Sequence, residues 1–521
     1  MIKDEKFEVT IDSPTNYDRQ DKYGSDESNR APSRTSARWP ASIDERKLVR
    51  KIDWSIIPIL MAAYFLQFLD KVIYNYASVM GMPKELGMKG NDFSWGATAF
   101  FLAYTFSELP QAALIQKYRV TKVLGGNIFC WGIVLCCTAA VKTSHQMIAV
   151  RALLGCFEAV ITPALMFVLS GPERWISKSV LTKPRMITSA WYQRNEAAPR
   201  FGLWYCGLGL GQIIGGAISF GAQHGKNSFQ GWRLMFLIVG VFNCIVAAII
   251  YFWLAGTPEE ATFLSSIEKE AIAQRLHDDH SGLGAKKLRV RSIFETFLDS
   301  QTWLLCLLTI LNVIPSGVIT TYSAILIKNM VNGDSKKAAL LNMPSGIFSI
   351  VALIFSTYTV RKGYQRWFAI ILAVIPTLIG ACLMSFLPKS NKAGLLIGIY
   401  LVNFAVAPYA IVLSAAGANF RGYTRKVAGG SIIAAAFSIA NIIGPQTFQA
   451  KDAPNYYPAK ITLVASTSCS ILVALALRLL YGYRNARAER LGEPAMSHLE
   501  AKAIRERMSV DFADPGYRYE Y

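Results

Sequence analysis

Of the 521 residues, 52% are apolar and only 17% charged, and the mean hydropathy is positive, which excludes an ordinary soluble domain and predicts a membrane protein. The net charge of +19 does not require nucleic acid. The basic residues gather in the tails and loops, as in NRAPSRTSAR (29–38) and YRNARAERLG (483–492), where they suit an anionic inner-leaflet surface.

In chain order, residues 1–52 are rich in Ser, Asp, Arg and Pro without apolar periodicity and are expected to form a disordered cytoplasmic tail. They contain no cleavable signal, so the first hydrophobic segment must direct insertion. Apolar runs of about twenty residues, long enough to cross about 30 Å of hydrocarbon as helices, then recur. Six fall near 54–76, 93–115, 122–142, 146–170, 200–222 and 232–254, and six near 302–327, 338–359, 367–387, 394–417, 427–448 and 460–481. The expected fold is all-α and polytopic, with twelve transmembrane helices in two six-helix bundles, 53–254 and 301–481. A cytoplasmic loop, 255–300, joins them, and a cytoplasmic tail, 482–521, follows. Two related halves facing a central path are the plan of many secondary transporters. If both tails are cytoplasmic, the loops on their side carry more Lys and Arg than the others, as the positive-inside rule requires.

The nine cysteines all fall within predicted spans and form no CxxC pair, so they read as small packing residues. His277 and His280, in RLHDDH of the central loop, read as an exposed helix end. No metal or cofactor is expected.

Charges inside the spans are costly and usually meet a partner or a watery cavity. Asp70 and Lys71 lie in the first span, Glu108 in the second, Arg151 and Glu158 in the fourth, and Arg478 near the end of the twelfth. Arg478 can snorkel to the surface, and Glu108, followed by Leu109 and Pro110, is assigned to a helix bend. Arg151 and Glu158, seven residues apart, share one helix face. Asp70 and Lys71 point about 100° apart, Asp70 with Tyr74 and Lys71 with Asn75. Two readings stay open: buried ion pairs that only hold the first and fourth helices together, or a site in which an acid titrates while a base holds an anionic substrate. In the fifth span Gly207, Gly211 and Gly215 strip one helix face for close packing, and Gln212 beside them is either helix glue or a substrate contact. No GxGxxG dinucleotide motif is present there.

These segments resemble the fungal allantoate permease family, the anion:cation symporters of the major facilitator superfamily, over nearly all of residues 53–482. The resemblance rests on FLDKVIYN, RALLGCFEA, AWYQRNEAAPRFGLWYCGLGLGQIIGG, GWRLMFLIVG, GTPEEATFLSSIEKEAI and the stretch from ANFRGYTRKVAGG to NIIGP. It implies proton-coupled import of a small organic anion by alternating access. Asp70 and Glu158 take the proton role by that resemblance, and Lys71 and Arg151 the anion role. Tyr74, Asn75, Gln212 and Asn441 join them as candidate substrate contacts. Arg151 is the expected principal contact, because its guanidinium can engage both carboxylate oxygens, and Lys71 is the expected conditional partner of Asp70.

The sequence departs from the family in three places. AALIQKYRVTK (112–122) has Gln116 where the loop between the second and third helices usually has Asp, and the matching YTVRKGYQR also lacks the acid. Lys71 stands where an arginine is usual. GPERWISKSVLTKPR (171–185) interrupts a short connection, either as a retained intron or as a longer basic cytoplasmic loop.

No cluster of His, Asp or Cys supports a polytopic enzyme, and the tails are short for a nutrient sensor without transport. The expected partners are a small organic anion, such as allantoate, nicotinate or pantothenate, and the lipid bilayer. The chain is expected to act as a monomer in the plasma membrane.

Overall fold

The computed structural model describes residues 44–161, 205–224, 231–280, 290–420, 423–452 and 456–490, with single positions at 164, 191, 192, 200, 203 and 519. The predicted insertion at 171–185 and most of both tails lie outside the described residues. Each of the twelve predicted spans contains a described helix, and no strand occurs among the described residues.

The first bundle contains α1 (Glu45–Val79), the short α2 (Met82–Glu85), α3 (Asp92–Lys117), α4 (Val120–Thr138), α5 (Ser144–Glu158), α6 (Gly207–Ala222) and α7 (Gly231–Trp253). Two helices, α8 (Ser266–His280) and α9 (Val290–Leu298), occupy the connecting segment. The second bundle contains α10 (Ser300–Met330), α11 (Ser335–Asn342), α12 (Pro344–Arg361), α13 (Arg366–Phe386), α14 (Lys392–Val402), α15 (Val406–Asn419), α16 (Tyr423–Gln446) and α17 (Tyr457–Arg490). Among the described residues, nine helical stretches are long and apolar enough to cross a membrane, and Gly207–Ala222 is a shorter apolar helix. Large apolar residues such as Trp54, Phe106, Leu109, Phe252, Phe386 and Leu479 point outward. Such exposure suits lipid and would be a liability in water.

The disorder expected up to residue 52 is corrected over 45–52, which is the start of α1. The Asp44 carboxylate accepts the Arg46 and Lys47 amides, a capping arrangement that satisfies free amides of the first turn. Glu45 then pairs with Arg275 and Lys51 with Glu268, so this extension is clamped to α8. At the other end of the chain α17 runs on to Arg490, where the Arg484 guanidinium donates to Asp299, the cap of α10.

Glycine decides which helices approach closely. The stripe Gly207, Gly211 and Gly215 packs on α1, where added Cβ atoms would fall 3.1 Å from Phe65 N, 3.2 Å from Leu69 N and 3.1 Å from Leu69 Cδ1. A second pair, Gly209 and Gly346, brings α6 against α12 of the other bundle so closely that each blocks a side chain on its partner. Between α4 and α7, Cys136 fills the space over Gly240 and Cys244 the space over Gly132. Those cysteines therefore serve as small packing residues.

All hydrogen bonds between the bundles among the described residues lie toward one end, opposite the end where α1 begins and α17 finishes. There the Asn75 amide donates to Ser323 Oγ at 2.9 Å, Asn342 donates to the Tyr76 hydroxyl at 3.2 Å, and Gln446 donates to Thr98 at 2.8 Å. The Lys328 ammonium reaches the Val79 carbonyl at 2.8 Å, and the Ala450 amide reaches Asn91 Oδ1 at 3.0 Å. A chain of rings, Tyr74 on Phe93, Phe93 on Tyr322 and Tyr322 on Phe448, crosses from one bundle to the other with centroid spacings of 4.6, 5.5 and 4.6 Å. This is called the far end below, and the opposite one the terminal end.

Candidate functional site

The four membrane-depth charges of α1 and α5 come together, but their pairing is crossed. The Arg151 guanidinium donates from Nη1 to Asp70 Oδ1 at 3.2 Å and Oδ2 at 3.4 Å. The Lys71 ammonium donates to Glu158 Oε1 and to the Gln67 carbonyl, the latter at 2.9 Å. The expected pairing of Lys71 with Asp70 is thus corrected. Neighbours on a helix point about 100° apart, so one side chain on α5 cannot serve both. Arg151 and Glu158 lie on one face of α5, about 10 Å apart along the axis, and each takes the α1 residue of opposite sign within its reach.

Exposure separates the two pairs. Asp70 and Glu158 are fully buried and Arg151 is 2% exposed, whereas the Lys71 side chain is 14% exposed. The Arg151 guanidinium is also closed in by rings, 4.5 Å from the Tyr74 centroid and 4.7 Å from that of Phe100. Phe100 is shared, since the Lys71 ammonium lies 4.9 Å from the same centroid. Such contacts stabilise a cation by roughly 0.5–2 kcal/mol each, more when water is excluded.

Two polar atoms of this quartet are buried without a hydrogen-bond partner: Arg151 Nε and Glu158 Oε2. An unsatisfied buried polar group costs on the order of 1–3 kcal/mol. A donor and an acceptor left over in one charged cluster are what a site of proton or anion exchange would present.

Tyr74 belongs to the cluster and leads away from it. Its ring faces Arg151, and its hydroxyl donates to the Phe93 carbonyl at 3.0 Å, at the start of the ring chain to the second bundle. Asn75, Gln212 and Asn441 make their contacts elsewhere. Asn75 is bonded to the second bundle through Ser323, and its Oδ1 accepts the Ala324 amide at 3.3 Å. Gln212 faces α12, its Cβ 3.1 Å from where a Cβ on Gly346 would lie. Asn441 donates to the Phe437 carbonyl of its own helix at 2.9 Å and faces Gly317 of α10.

Several contributors have no signal in the sequence. Phe100 is one of 28 phenylalanines, and its place under both cations depends on how α3 packs against α5. Ser323 and Tyr322 come from the second bundle, about 250 residues from their partners. Among the described residues no cluster of His, Cys, Asp or Glu could hold a metal ion.

The family model of the Major Facilitator Superfamily matches residues 60–171 and 180–445. The allantoate permease of Saccharomyces cerevisiae is 31% identical over 490 residues, 91% of this chain and 86% of that protein. An uncharacterized transporter of Schizosaccharomyces pombe is 32% identical over 481 residues, 91% of this chain and 89% of its own length. Among solved structures, a bacterial homolog of the human lysosomal transporter Spinster in an inward-facing, unoccupied conformation aligns at TM-score 0.57 and 13% identity, covering 84% of this chain and 97% of that one. A D-xylose-proton symporter aligns at TM-score 0.56 and 14% identity, covering 81% and 97%. At that identity the likeness is one of fold. The family match and the aligned relatives agree with the motifs of α1, α5 and α6: the chain is a multi-pass membrane transporter of the Major Facilitator Superfamily and belongs to its allantoate permease family.

Proposed function

We propose that the protein is a proton-coupled symporter that imports a small organic carboxylate across the plasma membrane by alternating access, with both termini in the cytoplasm. The observation that carries this reading is the Lys71–Glu158 pair: a buried acid with one oxygen bonded to a partly exposed ammonium and the other oxygen without a partner. A proton taken up by Glu158 removes the countercharge of Lys71. The ammonium is then free to hold a carboxylate, so proton and anion occupy one site together.

The geometry favours Lys71 over Arg151 as the principal anion contact, reversing the order expected from guanidinium chemistry. Arg151 is closed in by Asp70, Tyr74 and Phe100. In this reading it is the positioning member, and Tyr74 carries its state to the far-end ring chain. The similarity to an allantoate permease makes allantoate the first substrate to try.

The test is uptake of labelled allantoate and a panel of small carboxylates into proteoliposomes with an imposed proton gradient. Uptake is expected to rise with acidity on the entry side and to collapse with a protonophore. Glu158→Gln is expected to retain substrate exchange and lose accumulation, because the amide keeps the shape and cannot titrate. Accumulation that survives dissipation of the proton gradient would refute the coupling. Loss of exchange in a well-folded Glu158→Gln protein would point to an ion pair with a purely structural role.

A further inference from the structure

Past the apolar run that ends near residue 481, α17 continues as a helix to Arg490 at the terminal end. Tyr481, Arg484 and Asn485 are spaced three and four apart and share one face of this extension. Tyr483, on the other side, is exposed, whereas Tyr481 and Asn485 are buried. Burial of an asparagine is unusual in so charged a stretch as YRNARAER (483–490). Part of its cover is Tyr519, 34 residues further along the chain.

Tyr519 is held by its backbone and by its ring. Its amide donates to Asn485 Oδ1 at 2.8 Å, and its carbonyl accepts from Asn485 Nδ2 at 3.1 Å. One side-chain amide thus meets both backbone groups of the residue, as a neighbouring strand would. The ring stacks on Tyr481, with centroids 5.2 Å apart and planes 12° from parallel, and the Arg484 guanidinium lies 5.3 Å from its centroid. Arg484 Nη1 also donates to the Tyr519 hydroxyl at 3.2 Å. The Asn485 contacts suit any residue with a backbone N–H, and the ring contacts select an aromatic one that bears a hydroxyl.

The same guanidinium reaches the entry of the second bundle. Its Nη2 donates to Asp299 Oδ1 at 2.6 Å and to Ser300 Oγ at 3.0 Å, and that Asp299 oxygen accepts the Gln301 amide at 3.0 Å, capping α10. Asp299 directly follows α9, the last helix of the connecting segment. One rigid fork is therefore shared between the α9–α10 joint and the tyrosine, and each contact orients it for the other.

We propose that this face of α17 is a docking site for a tyrosine-bearing segment, that Tyr519 of the same chain is its occupant, and that docking braces the joint where the connecting segment enters the second bundle. The site stands apart from the charged quartet and does not depend on the coupling proposed there. The contacts named lie within the second bundle and its joint, so the brace stiffens one bundle and leaves the seam between the bundles free to open.

The test uses the full-length purified protein in lipid nanodiscs. Spin labels at the exposed Ala486 and at Glu520 are expected to give one short, narrow distance in wild type and a broad, longer distribution in Asn485→Ala. Hydrogen exchange at the α9–α10 joint should be severalfold faster in Tyr519→Ala than in wild type, with Tyr519→Phe between them. Tethered partners meet at effective concentrations on the order of millimolar. A synthetic peptide of residues 513–521, supplied at about 10 mM to exceed that value, should therefore restore slow exchange to the Tyr519→Ala protein, and the same peptide carrying Tyr519→Ala should not. A broad distance distribution in wild type would overturn the docking. Exchange at the joint that is unchanged in Tyr519→Ala, or that the two peptides affect alike, would overturn the brace.

Discussion

The two ends of the molecule are held together by different chemistry. At the far end the bonds that join bundle to bundle are mostly neutral, Asn75 to Ser323, Asn342 to Tyr76 and Gln446 to Thr98, while the ion pair of Glu85 with Arg233 stays within the first bundle. Toward the terminal end the ties are ion pairs: Asp53 with Arg200, Glu45 with Arg275, Lys51 with Glu268, Glu295 with Arg425 and Asp299 with Arg484. Each of these stays inside one bundle or fastens the connecting segment to one bundle. Neutral hydrogen bonds contribute only about 0.5–1.5 kcal/mol each and exchange readily with water. Under the alternating-access reading proposed above, they suit a seam that opens and closes, and the ionic ties lie within parts that would move together.

The strongest test of that division is Gly346→Leu. The α6–α12 crossing has no room for a side chain, because the obstacle is the Gly209 backbone rather than a flexible side chain. Overpacking costs typically 1–3 kcal/mol. Transport is expected to be abolished, and the distance between spin labels at Lys89 and Lys451, flanking the far-end seam, should lengthen. Gly126→Leu, where nothing lies within 4 Å, is the control and should transport normally. Equal behaviour of the two variants would deny the crossing its role.

A smaller effect is expected from Asn75→Ala. It removes two bonds between the bundles, worth roughly 1–3 kcal/mol together, so the population with a separated seam should rise about fivefold or more in the same label measurement. Arg200→Gln, which cuts a tie within the first bundle, should lower thermal stability and leave that distribution alone. An unchanged distribution in Asn75→Ala would mean that the remaining bonds and the ring chain hold the seam without Asn75.

The smallest effect concerns Glu268. The hydrogen bond from Lys51, and next the Ser265 amide, hold its carboxyl below the usual carboxylate range. Because the folded value is the lower one, the tie is fully present above the ordinary carboxylate pKa and is lost as pH falls through the lowered value. The side chain is 22% exposed and its partner 43%, so screening keeps the contribution under about 1 kcal/mol. Glu268→Gln should lower the melting temperature slightly at neutral pH and match wild type in acid. A difference that persists in acid would show that packing of α8, not charge, holds the extension of α1.

Much of this protein could be read along the chain. Runs of about twenty apolar residues must become helices in lipid, since backbone groups there have no other partner, and the twelve runs fixed both bundles. Asp70, Lys71, Arg151 and Glu158 stood out because charge is rare and costly at that depth. The glycine stripe on α6 announced a close helix contact through spacing alone, while its partner, α1, is set by the fold. The extension of α1 back to Glu45 was hidden, because the polar residues there are helical by virtue of a cap and two ion pairs to α8, contacts made more than 200 residues away. The crossed pairing was hidden for a related reason. Helical periodicity fixes the direction of a side chain around its own axis, but not the offset and rotation of the facing helix, and those decide that Lys71 meets Glu158 while Arg151 is closed in with Asp70.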